Sequence, residues 1–404
     1  MLAPEIRFKN IEKDAKQSEW NEYRLHDVLS ISKDKNEDKY SSDDICSVSD
    51  EYGIVNQIEL QGRSFAGADI SNYKTVKKNQ IIYTRSPLLA KPFGIIKICG
   101  DTEGIVSPLY SVNNVKKGFL PEYVYYYFDS PNSTNNYLRP LVRIGAKHTM
   151  NITDTEWLSG KFFAPDISEQ EKIVDLFSTI DNILEKLREE VGVLERKKRW
   201  VASKLFDTIH SGEHDELKLK DVGKFQRGGT LSKDNIAKSG IPCILYGHLY
   251  TEYNEVINRV KYSTAESNVV FGLKNDVLFP TSTTADAVSL ISPSSLRVDK
   301  VALGGDIIVF RPNDGISGDY LSYYVNLKLK RKIAAYAQGS TIIHIHSHEL
   351  GEQVFDIPNI DMQRKTVSVL DSFNALISLK NSKIATIESM KRGLHNKMFI
   401  QRSI

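Results

Sequence analysis

The sequence predicts an α+β module written twice, each copy followed by one long helix, with the two helices pairing. Three observations predict it. The stretch "APDISEQEKIVDLFSTIDNILEKL" from Ala164 to Leu187 is echoed by "IPNIDMQRKTVSVLDSFNALISLK" from Ile357 to Lys380, 193 residues later. Apolar residues recur at helical spacing through both copies and beyond them. Upstream of each copy lie short β-rich runs such as "NQIIYTR", "PFGIIKIC", "NDVLFPT" and "GDIIVFR", broken by Gly, Pro, Asn and Ser. The period is far longer than a solenoid repeat of about 20–50 residues, so the unit copied is a domain with its helix.

The register of the repeat runs without a gap from Phe162, matched by Phe355, to Phe206, matched by Phe399. Pro165 meets Pro358, Gln170 meets Gln363, Lys172 meets Lys365 and Lys198–Arg199 meets Lys391–Arg392. Upstream the copies drift by a few residues. "YRLHDV" (Tyr23–Val28) resembles "LKLKDV" (Leu217–Val222), "NQIIY" (Asn79–Tyr83) resembles "NDVLF" (Asn275–Phe279), and "PEYVYYY" (Pro121–Tyr127) resembles "GDYLSYY" (Gly318–Tyr324). These matches put the modules at about 20–163 and 213–356 and the long helices at about 168–210 and 361–402. As a partition the chain divides into 1–163, 164–212, 213–356 and 357–404.

Each element has a local reason. Ser168 with Glu171 three residues on has the form of a capping box, Asp361 takes the equivalent cap, and Pro165 and Pro358 stand just outside. Ile173, Leu176, Ile180, Ile183, Leu187, Val191 and Leu194 form one apolar seam; Leu370, Phe373, Ile377, Ile384, Ile387, Leu394 and Met398 form the other. Seams of that spacing, between faces as charged as "EKLREE" and "ERKKRW", predict coiled-coil pairing, the competing reading being two helices each packed on its own domain. Shorter helices are expected at Pro121–Phe128 and Tyr320–Ala337. The run "YVYYYF" (Tyr123–Phe128) reads as rings buried in a core in preference to a base-stacking platform.

Composition excludes several classes. Of 404 residues 41% are hydrophobic and 26% charged, which supplies apolar mass for two cores. A net charge of +2 is not that of a wholly basic nucleic-acid binder, although a local basic face fits within it. Cys46, Cys99 and Cys243 stand far apart without a CxxC pair, which argues against disulfides and cysteine zinc sites and for a reduced cytosol. The charged start shows no signal peptide, and no run of about 18 apolar residues occurs.

Catalytic motifs are missing too: there is no GxxxxGK[ST], no GxGxxG after a strand, and no [ND]PP[FY]. Asp166, Glu169 and Lys172 resemble a nuclease set only until the helix entry claims them. "HIHSH" places His344, His346 and His348 at alternating positions, where a strand would turn all three to one side and a metal is conceivable. No further ligand is indicated, and the matching stretch "GAKHTMNI" has only His148, so no metal residue is assigned. The other reading of the triplet is solvent or DNA phosphates.

At this point the chain resembles the specificity subunit of a type I restriction-modification enzyme. The resemblance spans nearly the whole length. It rests on the duplicated module-plus-helix order, "PEIRF" near the start, "YRLHDV" and "LKLKDV", "GGTLSKDN", P-x-x-x-x-Q-x-K entering each helix, and "GLHNKMF" near the end. One departure is Leu231, which stands where many relatives carry proline.

The resemblance implies two tandem target-recognition domains, each reading one half of a bipartite double-stranded DNA target. It implies that the helices pair as an antiparallel coiled coil, set the spacer and dock two methyltransferase subunits, with restriction subunits in the full complex. S-adenosylmethionine is then expected in the methyltransferase subunits and no cofactor in this chain. Ile173, Leu176, Ile180, Ile183, Leu187, Leu194, Leu370, Phe373, Ile377, Ile384 and Ile387 are the expected pairing and docking residues.

DNA affinity should come from Lys and Arg on phosphates, and specificity from side chains at base edges. The candidates in the first module are Arg63, Lys74, Lys77, Lys78, Arg85, Lys91 and Lys147. In the second they are Arg227, Thr230 and Lys233 beside Gly228 and Gly229, whose backbone is expected to approach a phosphate, and Thr281, Ser282 and Thr283 of "PTSTTAD". The alternatives are a scaffold protein with a coiled coil that does not bind DNA, and a hydrolase centred on the histidine triplet.

Overall fold

The computed structural model describes residues 4–8, 19–65, 67, 69–144 and 150–400. Two compact units divide the chain, Met1–Leu187 with Lys383–Ile404, and Arg188–Ser382. Among the described residues no helix is long and apolar enough to cross a membrane.

In the first unit the strand Asn21–Arg24 pairs antiparallel with Lys161–Ala164, so the module is clasped by its own two ends. Between them lies a four-stranded antiparallel sheet in the order Leu29–Ile31, Ser111–Val115, Ile81–Thr84, Ile95–Ile98. Pro121 opens the helix Pro121–Asp129, whose Tyr123, Tyr126, Tyr127 and Phe128 are buried in the core. The "YVYYYF" run therefore packs inward.

The second unit repeats the plan. Asp215–Lys218 pairs with Val354–Ile357. A five-stranded sheet runs Gly223–Arg227, Ile307–Pro312, Val277–Pro280, Ser294–Leu296, Val256–Ile257, its first three strands in the positions of the first module's. A second five-stranded sheet, containing Ile241–Ile244 and Val301–Leu303, shares a hydrophobic cluster with it through Ile244, Val301, Leu303, Leu278 and Val309. The helix expected at Tyr320–Ala337 is interrupted: Gly318–Tyr324 gives way to a π-helical turn at Val325–Leu329 and then to Lys330–Ala334.

The matched "NQIIY" and "NDVLF" have a backbone cause. Asn79 and Asn275 hold left-handed φ of 68° and 77° at the turn into the central strand, a conformation asparagine tolerates better than most residues. The matched glutamines have another. Gln170 accepts from Leu120 N–H at 3.0 Å and donates to the Pro165 and Gly118 carbonyls. Gln363 accepts from Ser317 N–H at 2.8 Å and donates to the Pro358 and Gly315 carbonyls. Each locks a helix start to the loop before the module's tyrosine helix.

The long helices are Ile167–His210 and Ile360–Met398. Their caps differ from the sequence expectation. Asp166 Oδ1 accepts Glu169 N–H at 3.0 Å and Asn359 Oδ1 accepts Met362 N–H at 3.0 Å, so the caps are Asp166 and Asn359, not Ser168 and Asp361. Glu169 is taken up by the Arg7 guanidinium, whose Nε donates to it at 3.0 Å, and Ile6 N–H donates to the Lys397 carbonyl. "PEIRF" is thus a strap joining the start of one helix to the end of the other within the first unit.

Helix pairing is antiparallel in each unit. In the first, Phe177 packs on His395 and Phe399 while Asp181, one turn on, accepts from Lys391 at 2.7 Å. In the second, Glu190 pairs with Lys380, and Lys198 donates to Asn374 at 2.7 Å. Met398, Phe399 and Ile400 complete the first core; Ala202, Phe206 and Ile209 complete the second. Burial of each Phe in such a site stabilises by about 1.5–3 kcal/mol.

Candidate nucleic-acid interface

Three segments far apart in sequence meet in the second unit. Arg227 ends the strand Gly223–Arg227, opposite Ile308. Val277–Pro280, paired on the other side of Ile307–Pro312, delivers Thr281, whose N–H donates to the Asp306 carbonyl at 2.9 Å. Ser282–Thr283 pairs antiparallel with Ile343–His344, and Ile345 N–H donates to the Thr281 carbonyl at 3.1 Å. Together they line a cleft of about 390 Å³ that includes Gln226, Arg227, Gly228, Gly229, Thr281, His344 and His346.

Arg227 is exposed, and no hydrogen bond or ion pair holds its guanidinium among the described residues. Thr230 and Lys233 are exposed nearby, Ser282 is buried, and Thr281 and Thr283 are half-buried. His344 and His346 are exposed on either side of buried Ile345, the alternation a strand imposes. His348 sits on the short helix Ser347–Gly351 and is not part of the cleft lining, so the triplet does not converge as a metal ligand set.

The glycines have a use other than the one expected. A Cβ on Gly228 would lie 2.3 Å from the Gly304 carbonyl oxygen, and one on Gly229 2.7 Å from that of Leu303. Their N–H groups already donate to the Ile307 and Leu303 carbonyls. These glycines let two chain segments pack closely, and their amides are not free for a phosphate. Gln226 is the residue that sequence reading passed over; only its place in "FQRGG" marked it.

In the first unit most basic candidates are already paired. Lys77 binds Asp34 at 2.6 Å, Lys78 binds Asp101 at 2.7 Å, and Arg85 and Lys74 share Asp154. Lys91 is buried against Asp50 at 2.5 Å, a carboxylate it shares with Lys97. Burial alone would raise the Asp50 carboxyl, but the two lysines hold it below its ordinary value. Arg63 is exposed and stacks its guanidinium over Phe65. Lys147 and His148 lie outside the described residues.

Along the helices Ile173, Leu187 and Leu370 are buried, while Leu176, Ile180, Leu194, Phe373, Ile377, Ile384 and Ile387 are half-buried. Ile183 is 43% exposed, and its neighbour Leu184, 3% exposed, takes the buried place in the seam together with Phe177. The cysteines are free and buried, and burial pushes the Cys46 thiol to about 11 and the Cys99 thiol to about 12.

A duplicated α+β module, closed by its own end strands and completed by a long helix, defines the class: a tandem two-domain protein with a helical linker and a helical tail. The description of a type I restriction modification DNA specificity domain matches residues 17–193 and again residues 212–389, and the chain belongs to that family. It is 22% identical over 263 residues to a putative type I restriction enzyme MjaX specificity subunit of Methanocaldococcus jannaschii, covering 62% of this chain and 62% of that one. It is 25% identical over 244 residues to the type I restriction enzyme EcoR124I/EcoR124II specificity subunit of Escherichia coli, covering 55% of this chain and 58% of that one. The matches therefore span less than two thirds of either curated relative.

The fold is similar to the crystal structure of a type I restriction-modification S subunit from M. genitalium, with a TM-score of 0.59 at 14% identity and 99% of both chains covered. It is also similar to a chain from a structure addressing complex assembly and conformational transition of a type I R-M system, with a TM-score of 0.52 at 15% identity, covering 94% of this chain and 97% of that one.

Proposed function

We propose that this chain is the non-catalytic DNA-specificity subunit of a type I restriction-modification system. Each module reads one half of a bipartite double-stranded target, and the helices set the spacer and dock two methyltransferase subunits. Those subunits bring S-adenosylmethionine, restriction subunits join in the full complex, and the assembly works in the cytoplasm. The family membership and the two curated relatives, both named as specificity subunits, support the class.

The observation that carries DNA reading is the cleft itself. It gathers an arginine without a partner among the described residues, an amide side chain and two imidazoles at one end of a sheet. Arg227 has the fork geometry for guanine or phosphate, and Gln226 the paired donor and acceptor that suit adenine. His344 and His346 line the same space. Exposed apolar side chains on the helices, among them Ile183, Trp200 and Leu379, supply the surface that partner docking needs.

The test uses the chain assembled with its methyltransferase subunits. Arg227→Ala should weaken binding to the methylated target by about 1–3 kcal/mol, and methylation should relax in one half-site only. Unchanged affinity and unchanged methylated sequence for both Arg227→Ala and Gln226→Ala would remove the cleft from DNA reading.

A further inference from the structure

The second unit also holds a cluster of ligand-type side chains for which DNA reading has no use. His210 is the last residue of the central helix, His214 closes the turn after it, and Glu216 stands on the strand Asp215–Lys218 directly opposite Asp356 on Val354–Ile357. One ligand atom from each lies within 4.8 Å of those of the other three. His210 Nδ1 is 3.1 Å from Asp356 Oδ2, and His214 Nε2 is 3.7 Å from Asp356 Oδ1 and 4.0 Å from Glu216 Oε1.

Hydrogen bonds around the cluster fix what points into it. His214 Nδ1 lies 3.1 Å from the Gly212 carbonyl oxygen, which can only accept, so Nδ1 carries the proton. In the neutral ring the Nε2 lone pair is then turned toward two carboxylates and, among the described residues, toward no donor. Asp356 is buried, and its Oδ2 accepts the Tyr324 hydroxyl at 2.8 Å. An imidazole anchored through its far nitrogen and a carboxylate anchored through a hydroxyl are how metal ligands are oriented by the groups behind them. A cation here would meet the charge of the two carboxylates and take the place of the proton that His210 Nδ1 gives to Asp356 Oδ2 at 3.1 Å.

We propose that His210, His214, Glu216 and Asp356 form a structural zinc-class site that fastens the end of the central helix to the strand pair closing the second module. Two imidazoles with two carboxylates suit Zn²⁺, whereas Mg²⁺ and Ca²⁺ take oxygen ligands throughout. Bonds of about 2.0–2.1 Å in a tetrahedron put ligand atoms about 3.3 Å apart, so the widest separation must close by about 1.5 Å. The half that moves is available: the His210 and Glu216 side chains are each 62% exposed, while His214 and Asp356 are held. Four protein ligands leave no open position, which makes the site structural. The first module has no equivalent, because the position matching Asp356 is Phe163, buried in its core.

The experiment adds zinc alone to tag-free, EDTA-stripped full-length chain and reads bound metal after gel filtration, with a thermal melt beside it. One zinc per chain and an upward melting shift are expected. The exposed pair His210→Ala with Glu216→Gln should bind zinc at least about 10-fold more weakly while the metal-free melt stays where it was. Tyr324→Phe, which keeps all four ligands, should weaken binding about 10–100-fold. Less than stoichiometric zinc on the wild type, or equal zinc retention by the double variant, would overturn the site.

Discussion

Gln170 and Gln363 show how much one side chain holds. Each makes three hydrogen bonds to backbone groups at a helix entry, and both are buried. Gln363→Leu keeps the volume but strands one N–H and two carbonyls, which should cost roughly 2–3 kcal/mol in urea unfolding. Gln170→Leu should cost a similar amount in the other unit. A loss under about 0.5 kcal/mol for both would mean that water replaces the amide freely. His395 makes a pH prediction. Its Nε2 donates to the Tyr126 carbonyl at 2.6 Å, and burial holds the imidazole below its ordinary value, with Asp129 and Lys391 as its charged neighbours. The unfolded chain therefore binds a proton that the folded one resists. Stability is full above about pH 6.5 and falls as pH drops through it, by at most about 1.4 kcal/mol per unit from this group. His248 in the second unit is depressed by burial too, so the reading is a difference: His395→Gln should flatten the urea-midpoint slope between about pH 7 and 5.5. An identical slope in wild type and variant would show that His395 does not titrate this way.

At the scale of elements the seam separates two neighbours that the sequence could not. Ile183 and Leu184 both satisfy a three-or-four spacing, so periodicity alone does not choose between them. The structure buries Leu184 and leaves Ile183 outside. Leu184→Lys should then destabilise the first unit by about 2–5 kcal/mol. Ile183→Lys should leave the melt of the isolated chain unchanged and reduce recovery of methyltransferase subunits in a pulldown. The reverse pattern would mean the seam is misassigned. Helix existence, length and pairing were legible because they rest on dozens of positions. The entry was not, because Ser168 with Glu171 imitates a capping box, while Asp166 beside Pro165 already satisfies the exposed N–H. The π-helical turn at Val325–Leu329 left no mark in the apolar pattern either.

Across the whole molecule the duplication was the most legible feature. It recurs in Asn79 and Asn275, in Gln170 and Gln363, and in the matched lysines: Lys391 reaches from the C-terminal helix to Asp181 of the central helix and Asp129 of the first module, and Lys198 from the central helix to Asn374 of the C-terminal helix and Glu255 of the second module. The candidate interface was legible only in pieces. Arg227, Thr281 and the histidines were visible one by one, but their meeting depends on long-range strand pairings that no local pattern encodes. Counting lysines was less informative still, since Asp34, Asp50, Asp101 and Asp154 occupy Lys74, Lys77, Lys78, Arg85 and Lys91, five of the first module's seven candidate cations. What the duplication asserts about function is independent reading by each copy. Exchanging residues 213–356 for the corresponding segment of a relative with a different target, and sequencing the methylated sites made by the assembled enzyme, tests that directly. One half of the methylated sequence should change and the other should stay as it is; a change in both halves, or in neither while the hybrid remains active, would contradict it.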